Sequence, residues 1–271
     1  MITVSMLGRM SVAVDRKRIP LTFGPRGRLL AGYLFEFPGR VHRRERLSDM
    51  FWEDCAPQQA RAAMNTALWR LRKILAMDTQ SVVCDCIQSN GDELVFEPMP
   101  SLRIDTHAFD GAVRHALGCC EANASVARVS LLEQAADRYA GSFLDGDDAD
   151  WVIAERERLH SLYVRCLCEL MRAHAASADY ELAIAAGRRV LAADQFRETV
   201  MRTLAILLFM NGQRAQAIDE LTRWQSALRA QVGVAALPET RQLHASLVSG
   251  SVCSELARWC HSHLGSDALP R

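Results

Sequence analysis

Apolar and polar positions follow two different periods along this chain. Near the start, apolar residues come in short runs or alternate with polar ones. Ile2 to Leu7 reads as a strand, and Met10 to Val14 alternates around Ser11 and Ala13. Asp15-Arg16-Lys17-Arg18 is a polar turn before a third run, Ile19 to Phe23. Two or three antiparallel strands are expected. Gly24-Pro25-Arg26-Gly27 then breaks the run, and Leu29, Leu30, Tyr33, Leu34 and Phe37 recur at helical spacing until Pro38-Gly39. A second helix is expected from Arg43 to Trp52 with Leu47, Met50 and Phe51 inward. Glu53 to Pro57 reads as a loop, and a long helical pattern follows from Gln58 to Ala76. Ser81 to Ile87, the turn signal Ser89-Asn90-Gly91-Asp92 and Glu93 to Glu97 read as a hairpin turning at Asn90-Gly91. Strands, three helices and a hairpin, in that order, make a winged helix.

After Pro98-Met99-Pro100 the period becomes helical from Asp105 onward. Asp179-Tyr180-Glu181-Leu182-Ala183-Ile184 aligns with Gln213-Arg214-Ala215-Gln216-Ala217-Ile218 at a spacing of 34 residues. That is the period of stacked helical hairpins of the tetratricopeptide type. Ala183 and Ala217 fall where two helices approach closely, while Ala178 and Gly212 read as near-equivalents one residue out of phase. Helices are expected at about 152–176, 180–192, 196–210, 214–230 and 239–248, with a further pair before Gly141. The fold class is therefore mainly α: an N-terminal winged helix-turn-helix with small β-sheets, followed by an α-helical tetratricopeptide-like repeat domain. The expected division is 1–100, 101–250 and a C-terminal helix and tail over 251–271.

Wound at 100° per residue, the 58–76 segment puts Met64, Leu68, Leu71 and Leu75 in one core-facing stripe. Ala62, Asn65, Thr66, Trp69 and Lys73 lie opposite, flanked by Arg61, Arg70 and Arg72. The segment contains no Asp or Glu. A face of small, amide and cationic side chains without acid suits the DNA major groove. Asn65 could pair bidentately with adenine and the Thr66 methyl could touch thymine. Arg61, Arg70, Arg72 and Lys73 are candidate phosphate contacts, which set register rather than sequence. Trp69 is open between a wedge against the DNA backbone and packing on the hairpin. Arg26 and Arg28 at the first helix, and Arg43 and Arg44 in the run Arg40 to Arg46, are further candidates beside helix starts.

Charge reinforces this placement only through its distribution. The whole chain has 32 Lys/Arg and 32 Asp/Glu, but Met1 to Val83 holds 14 against 7 and the remainder 18 against 25. A basic head on an acidic body favours a polyanionic partner at the head. The nine cysteines are odd in number and lack Cys-x-x-Cys spacing, which argues against a disulfide framework or zinc module. Most are read as small buried apolar residues. Cys84/Cys86 would share one face of a strand, which leaves redox sensing open there although no flanking basic residue lowers their pKa, and Cys166/Cys168 are not read as a metal site. The Asp145, Asp147, Asp148, Asp150 run reads as a solvated loop with Asp150 capping the next helix, since the calcium-loop spacing is missing. Cys260-His261-Ser262-His263 has no second ligand cluster, so neither metal nor cofactor is expected. Nucleotide-binding, zinc-protease and nucleophile-elbow motifs are missing, which speaks against an enzyme. A signal peptide is not evident and no apolar run could span a bilayer, so a cytoplasmic chain without membrane association is expected.

Leu29-Leu30-Ala31, Pro38 to Leu47, Phe51-Trp52, Ala60 to Asn65 and Trp69 to Lys73 together resemble the winged helix of the Streptomyces antibiotic regulatory protein family. Tyr139 to Gly146, Trp151 to Leu159, and Val232-Gly233-Val234 with Leu237 to Thr240 resemble its bacterial transcriptional activator domain. The resemblance spans about residues 3–248. It implies a sequence-specific transcription activator that binds double-stranded DNA at direct repeats and recruits RNA polymerase. By the same analogy, the loop with Glu53, Asp54, Pro57 and Gln58 would meet polymerase or sigma factor. Trp69 departs from the smaller or polar residue usual there, which leaves the operator open. Homodimerisation, at least on DNA, is expected from tandem half-sites about one helical turn apart. The alternative is a tetratricopeptide-like scaffold or signal-binding protein whose winged helix mediates protein contacts.

Overall fold

Alternation at the N-terminus produces β1 (Ile2–Ser5), whose Ile2 and Val4 are fully buried while Thr3 and Ser5 are half-buried. The computed structural model describes residues 1–77, 86–118 and 125–250. β2 (Ser11–Val14) pairs antiparallel with β1, Ile2 opposite Val14, and β3 (Lys17–Ile19) pairs antiparallel with β2. The turn between them is shorter than expected. Only Asp15 and Arg16 form it, both with left-handed φ (48° and 67°), the geometry that matches strand twist in a two-residue hairpin. Lys17 and Arg18 therefore belong to the third strand, and Pro20 to Phe23 is not one.

α1 (Pro25–Glu36) begins at Pro25, where the missing N–H would have had no helical partner anyway. Pro25 to Gly27 thus open the helix rather than merely ending a strand. β4 (His42–Arg43) precedes α2 (Arg44–Phe51), so Arg43 sits at a strand end rather than in a helical first turn. Leu47 and Phe51 face inward, but Met50 is exposed, contrary to its expected place. α3 (Pro57–Leu75) starts one residue before Gln58, with Pro57 again at a first helical position. Its stripe Met64, Leu68, Leu71 and Leu75 is buried as expected.

β5 (Ile87–Asn90) and β6 (Glu93–Phe96) form the wing, and β4 adds a third strand in the order β4-β6-β5. Asn90 pairs with Glu93, so the turn is Gly91-Asp92 rather than Asn90-Gly91. Gly91 takes the left-handed φ of +59° at its first position. Residues 81–85 of the expected first wing strand lie outside the described residues. β7 (Leu102–Ile104), absent from the sequence reading, lies parallel to β1 and completes a sheet ordered β3-β2-β1-β7.

Next come α4 (Asp105–Gly118), α5 (Ser125–Arg138) and α6 (Asp150–Ala176). The described chain divides into two compact units that do not follow chain order. The first is Met1–Ala112 with Asp137–His160, and the second is Val113–Ala136 with Ser161 onward. In the first unit, Asp105 accepts the backbone N–H groups of Met6 and Leu7, tying the end of β1 to the start of α4. Burial raises the Asp105 carboxyl pKa, opposed by these backbone donors. The acidic run is not simply solvated. Asp147 is buried and pairs with Arg28 at 2.8 Å, and its carbonyl accepts from Arg156 at 2.6 Å. Asp150 is the first residue of α6, and Trp151 stands edge-on to Tyr33 at 5.1 Å. Arg158 gathers Glu155, Asp110 and Glu36, at 2.6, 3.1 and 3.7 Å.

The second unit contains α7 (Tyr180–Ala193), α8 (Glu198–Met210), α9 (Arg214–Val232) and α10 (Pro238–Ser249). Ala183 and Ala217 are fully buried. Ala178 and Gly212 prove to be in phase. Both are left-handed, and the N–H groups after them reach back five residues, Asp179 to His174 O (2.9 Å) and Gln213 to Leu208 O (2.8 Å). The repeat therefore extends to the hydrogen bonds that end each helix. Burial pushes the Cys166 thiol up to about 12 and raises Cys168 as well, which disfavours the reactive thiolate at both. Cys84, Cys260-His261-Ser262-His263 and the expected 251–271 tail lie outside the described residues.

Candidate nucleic-acid interface

The outer face of α3 is open in the first unit. Ala62, Asn65, Thr66 and Lys73 are exposed, and so is Trp69 at 54%. Trp69 is therefore not core packed on the wing. Its ring carries the Lys73 ammonium 4.0 Å from the centroid, one helical turn on, a cation–π contact that holds the indole against its own helix. Thr66 donates to Ala62 O at 2.9 Å.

The arginines divide by their partners. Arg61 meets Glu45 at 3.4 Å with both side chains largely in water, a pairing a phosphate could displace at little cost. Arg43 is exposed beside it. Arg70 donates to Thr22 O at 2.8 Å and Arg72 to Ile87 O at 2.7 Å, so both brace α3 against other segments. Arg26 pairs with Asp54 at 2.8 Å and reaches Cys55 Sγ at 3.3 Å, joining a DNA-contact candidate to the loop read as a polymerase contact. Glu53 and Asp54 are exposed in that loop, whereas Pro57 and Gln58 are exposed in the first turn of α3. Arg28 is held by Asp147. His42 is buried against Tyr33, and burial, with Arg40 and Arg46 nearby, lowers its pKa. It adds no cation to the basic run.

One grouping had no signature in the sequence. Arg44 donates through Nη2 to Asn65 Oδ1 and through Nη1 to Ser89 Oγ (3.3 Å), and Arg72 also reaches Ser89 Oγ at 3.3 Å. The wing, the start of α2 and the outer face of α3 are thereby linked, with the Asn65 amide oxygen turned to the Arg44 guanidinium. Arg43, Arg44, Arg61, Met64, Asn65 and the wing residues Asp92 and Glu93 line a groove of about 400 Å³ here. No group of three or more metal-ligating side chains occurs among the described residues. None of the described helices is long and apolar enough to cross a membrane.

A winged helix-turn-helix joined to tetratricopeptide-like helical hairpins is the architecture of a transcriptional regulator. The chain belongs to the bacterial transcriptional activator domain family, whose model matches residues 104–248. It is 24% identical over 258 residues to the transcriptional regulatory protein MoaR1 of Mycobacterium tuberculosis, covering 89% of this chain and 77% of that protein. It is similar in fold to the solved structure of EmbR from Mycobacterium tuberculosis in complex with a low affinity phosphopeptide. That likeness has a TM-score of 0.74 at 17% identity, over 97% of this chain and 69% of the other. These matches bear out the resemblance to the Streptomyces antibiotic regulatory proteins.

Proposed function

We propose that this regulator binds duplex DNA sequence-specifically, with α3 in the major groove, and activates transcription in the cytoplasm from promoter direct repeats. The observation that carries the reading is the open, acid-free face of α3. Asn65, Thr66, Trp69 and Lys73 stand out in solvent above a buried Met64/Leu68/Leu71 ridge. Arg43 and Lys73 meet phosphate directly, Arg61 does so by exchanging the solvated Glu45 for it, and Arg26 and Arg70 do so only by leaving Asp54 and Thr22. Two copies lie side by side on tandem half-sites. Glu53, Asp54, Pro57 and Gln58, exposed next to the start of α3, contact RNA polymerase or sigma factor.

A gel-shift with genomic fragments at low and moderate salt tests this. Specific fragments are retained, and a dimer closing roughly six to ten phosphate contacts loses about 10³–10⁵ in affinity between about 50 and about 200 mM salt. Salt-insensitive or absent binding would favour a scaffold whose winged helix contacts protein instead.

A further inference from the structure

To match adenine at two points, Asn65 would have to accept from the base N6 through Oδ1 while donating to N7 through Nδ2. In the structure Oδ1 already accepts from Arg44 Nη2. Chemistry fixes which end of the amide faces Arg44, because a guanidinium has only N–H donors and meets only the oxygen. Arg44 is itself held in place. Its backbone N–H donates to Asp92 O at 2.7 Å, and its Nη1 to Ser89 Oγ at 3.3 Å. Ser89 is in turn engaged by Arg72, which also donates to Ile87 O at 2.7 Å. The wing thus presses a cation onto the acceptor end of Asn65. Oδ1 keeps a second lone pair, but the guanidinium beside it repels an amino donor such as adenine N6, so the donor end, Nδ2, is the half of the amide open to a base.

We infer that Arg44 and Asn65 form one donor-only reader that selects guanine over adenine at a single base pair of the bound site. The inference rests on the DNA-binding reading above. Guanine presents two acceptors in the major groove, O6 and N7, to the amide and guanidinium donors. Adenine would turn its N6 amino hydrogens toward a guanidinium, and cytosine offers a donor at N4, so both oppose like with like. Thymine O4 gives one acceptor beside a bulky methyl. The preference expected for a two-point match is roughly 5- to 150-fold.

Selection of binding sites from a random duplex library, with wild type, Arg44→Ala and Asn65→Asp, tests the pairing. The wild type enriches a motif with guanine at one position that depends on Asn65. Arg44→Ala frees Oδ1, so that position moves toward adenine while the rest of the motif stays, even if overall affinity falls. Asn65→Asp keeps Arg44 as a charge partner and so retains the local structure. It turns the free donor into an acceptor, which moves the same position toward cytosine. Should Arg44→Ala not fold, the Asn65→Asp motif decides alone. A wild-type motif that survives both substitutions unchanged overturns the pairing but leaves DNA binding intact. Absence of any enriched sequence overturns both.

Discussion

Gly27 of α1 and Ala67 of α3 meet so closely that a methyl on Gly27 would stand 3.2 Å from the Ala67 methyl and 3.0 Å from Phe23 Cβ. α3 is seated on α1 through this contact, and nothing larger than hydrogen fits without a shift. Gly27→Val should therefore lower stability by about 1–3 kcal/mol through overpacking. It should weaken DNA retention further by displacing α3. Gly27→Ala should lose less, because its better helix propensity, worth up to about 1 kcal/mol, offsets part of the crowding. Denaturant unfolding of both variants checks the order. Equal stability of Gly27→Val and wild type would show that α1 and α3 can slide apart freely.

The parts legible in the sequence were those written as periodicity. The Met64, Leu68, Leu71, Leu75 stripe placed α3 and its outer face, and the 34-residue spacing placed the starts of α7 and α9. Very short elements leave no period to read. β4 has two residues and β7 three, and each exists because a neighbouring strand offers it hydrogen bonds. The Asp15-Arg16 turn was overestimated because Lys17 and Arg18 look equally polar, and only backbone geometry separates turn from edge strand. The site was half legible. Which side chains face outward followed from the helical wheel, but their partners did not. Arg26 with Asp54, Arg44 with Asn65 and Arg70 with Thr22 are 28, 21 and 48 residues apart and meet only through tertiary packing.

Glu36 predicts a pH dependence of stability. Burial pushes its carboxyl pKa from 4.5 up to about 8, against the lowering effect of the Thr106 hydroxyl, which donates to it at 2.6 Å. The nearby Glu155 carboxylate adds to the rise and Arg158 opposes it. Between pH 4.5 and about 8 the folded state holds a proton that the unfolded chain has released, so stability falls as pH rises through that window. His42 has the opposite sense, its lowered pKa removing stability as pH falls below its ordinary 6.5. Glu36→Gln keeps the acceptor for Thr106 without a titrating proton. Its gain over wild type should grow from pH 5 to pH 8 in thermal unfolding, roughly along the linkage slope of about 1.4 kcal/mol per pH unit at most. A constant difference between the two proteins would mean that Glu36 ionises freely in the fold.

Trp69 separates binding from folding. A buried tryptophan replaced by alanine usually costs about 3–5 kcal/mol. Trp69 is 54% exposed, and its described ring contact is with the Lys73 side chain. Trp69→Ala should therefore shift unfolding by no more than about 1 kcal/mol, the size of an exposed cation–π contact, while reducing retention of specific DNA. Loss of stability without loss of binding would place the indole in the core.

Ala178 and Gly212 offer a matched pair of sites that end helices in the same way with different residues. Each adopts left-handed backbone, at φ 59° and 75°, and each is followed by an N–H that caps the preceding helix five residues back. Alanine in that conformation is strained by roughly 1–2 kcal/mol, because its Cβ crowds the following carbonyl. Glycine has no Cβ to crowd, but it gives the unfolded chain more freedom, which offsets about 0.4–1 kcal/mol. Ala178→Gly should therefore stabilise the helical unit by up to about 1 kcal/mol, and Gly212→Ala should destabilise it by a similar amount. Both changes leave α3 untouched, so DNA retention should stay at wild-type levels in each. Opposite signs in urea unfolding are the signature. Two shifts of the same sign would mean that the two turns, though 34 residues apart and alike in hydrogen bonding, are not held by the same backbone constraint.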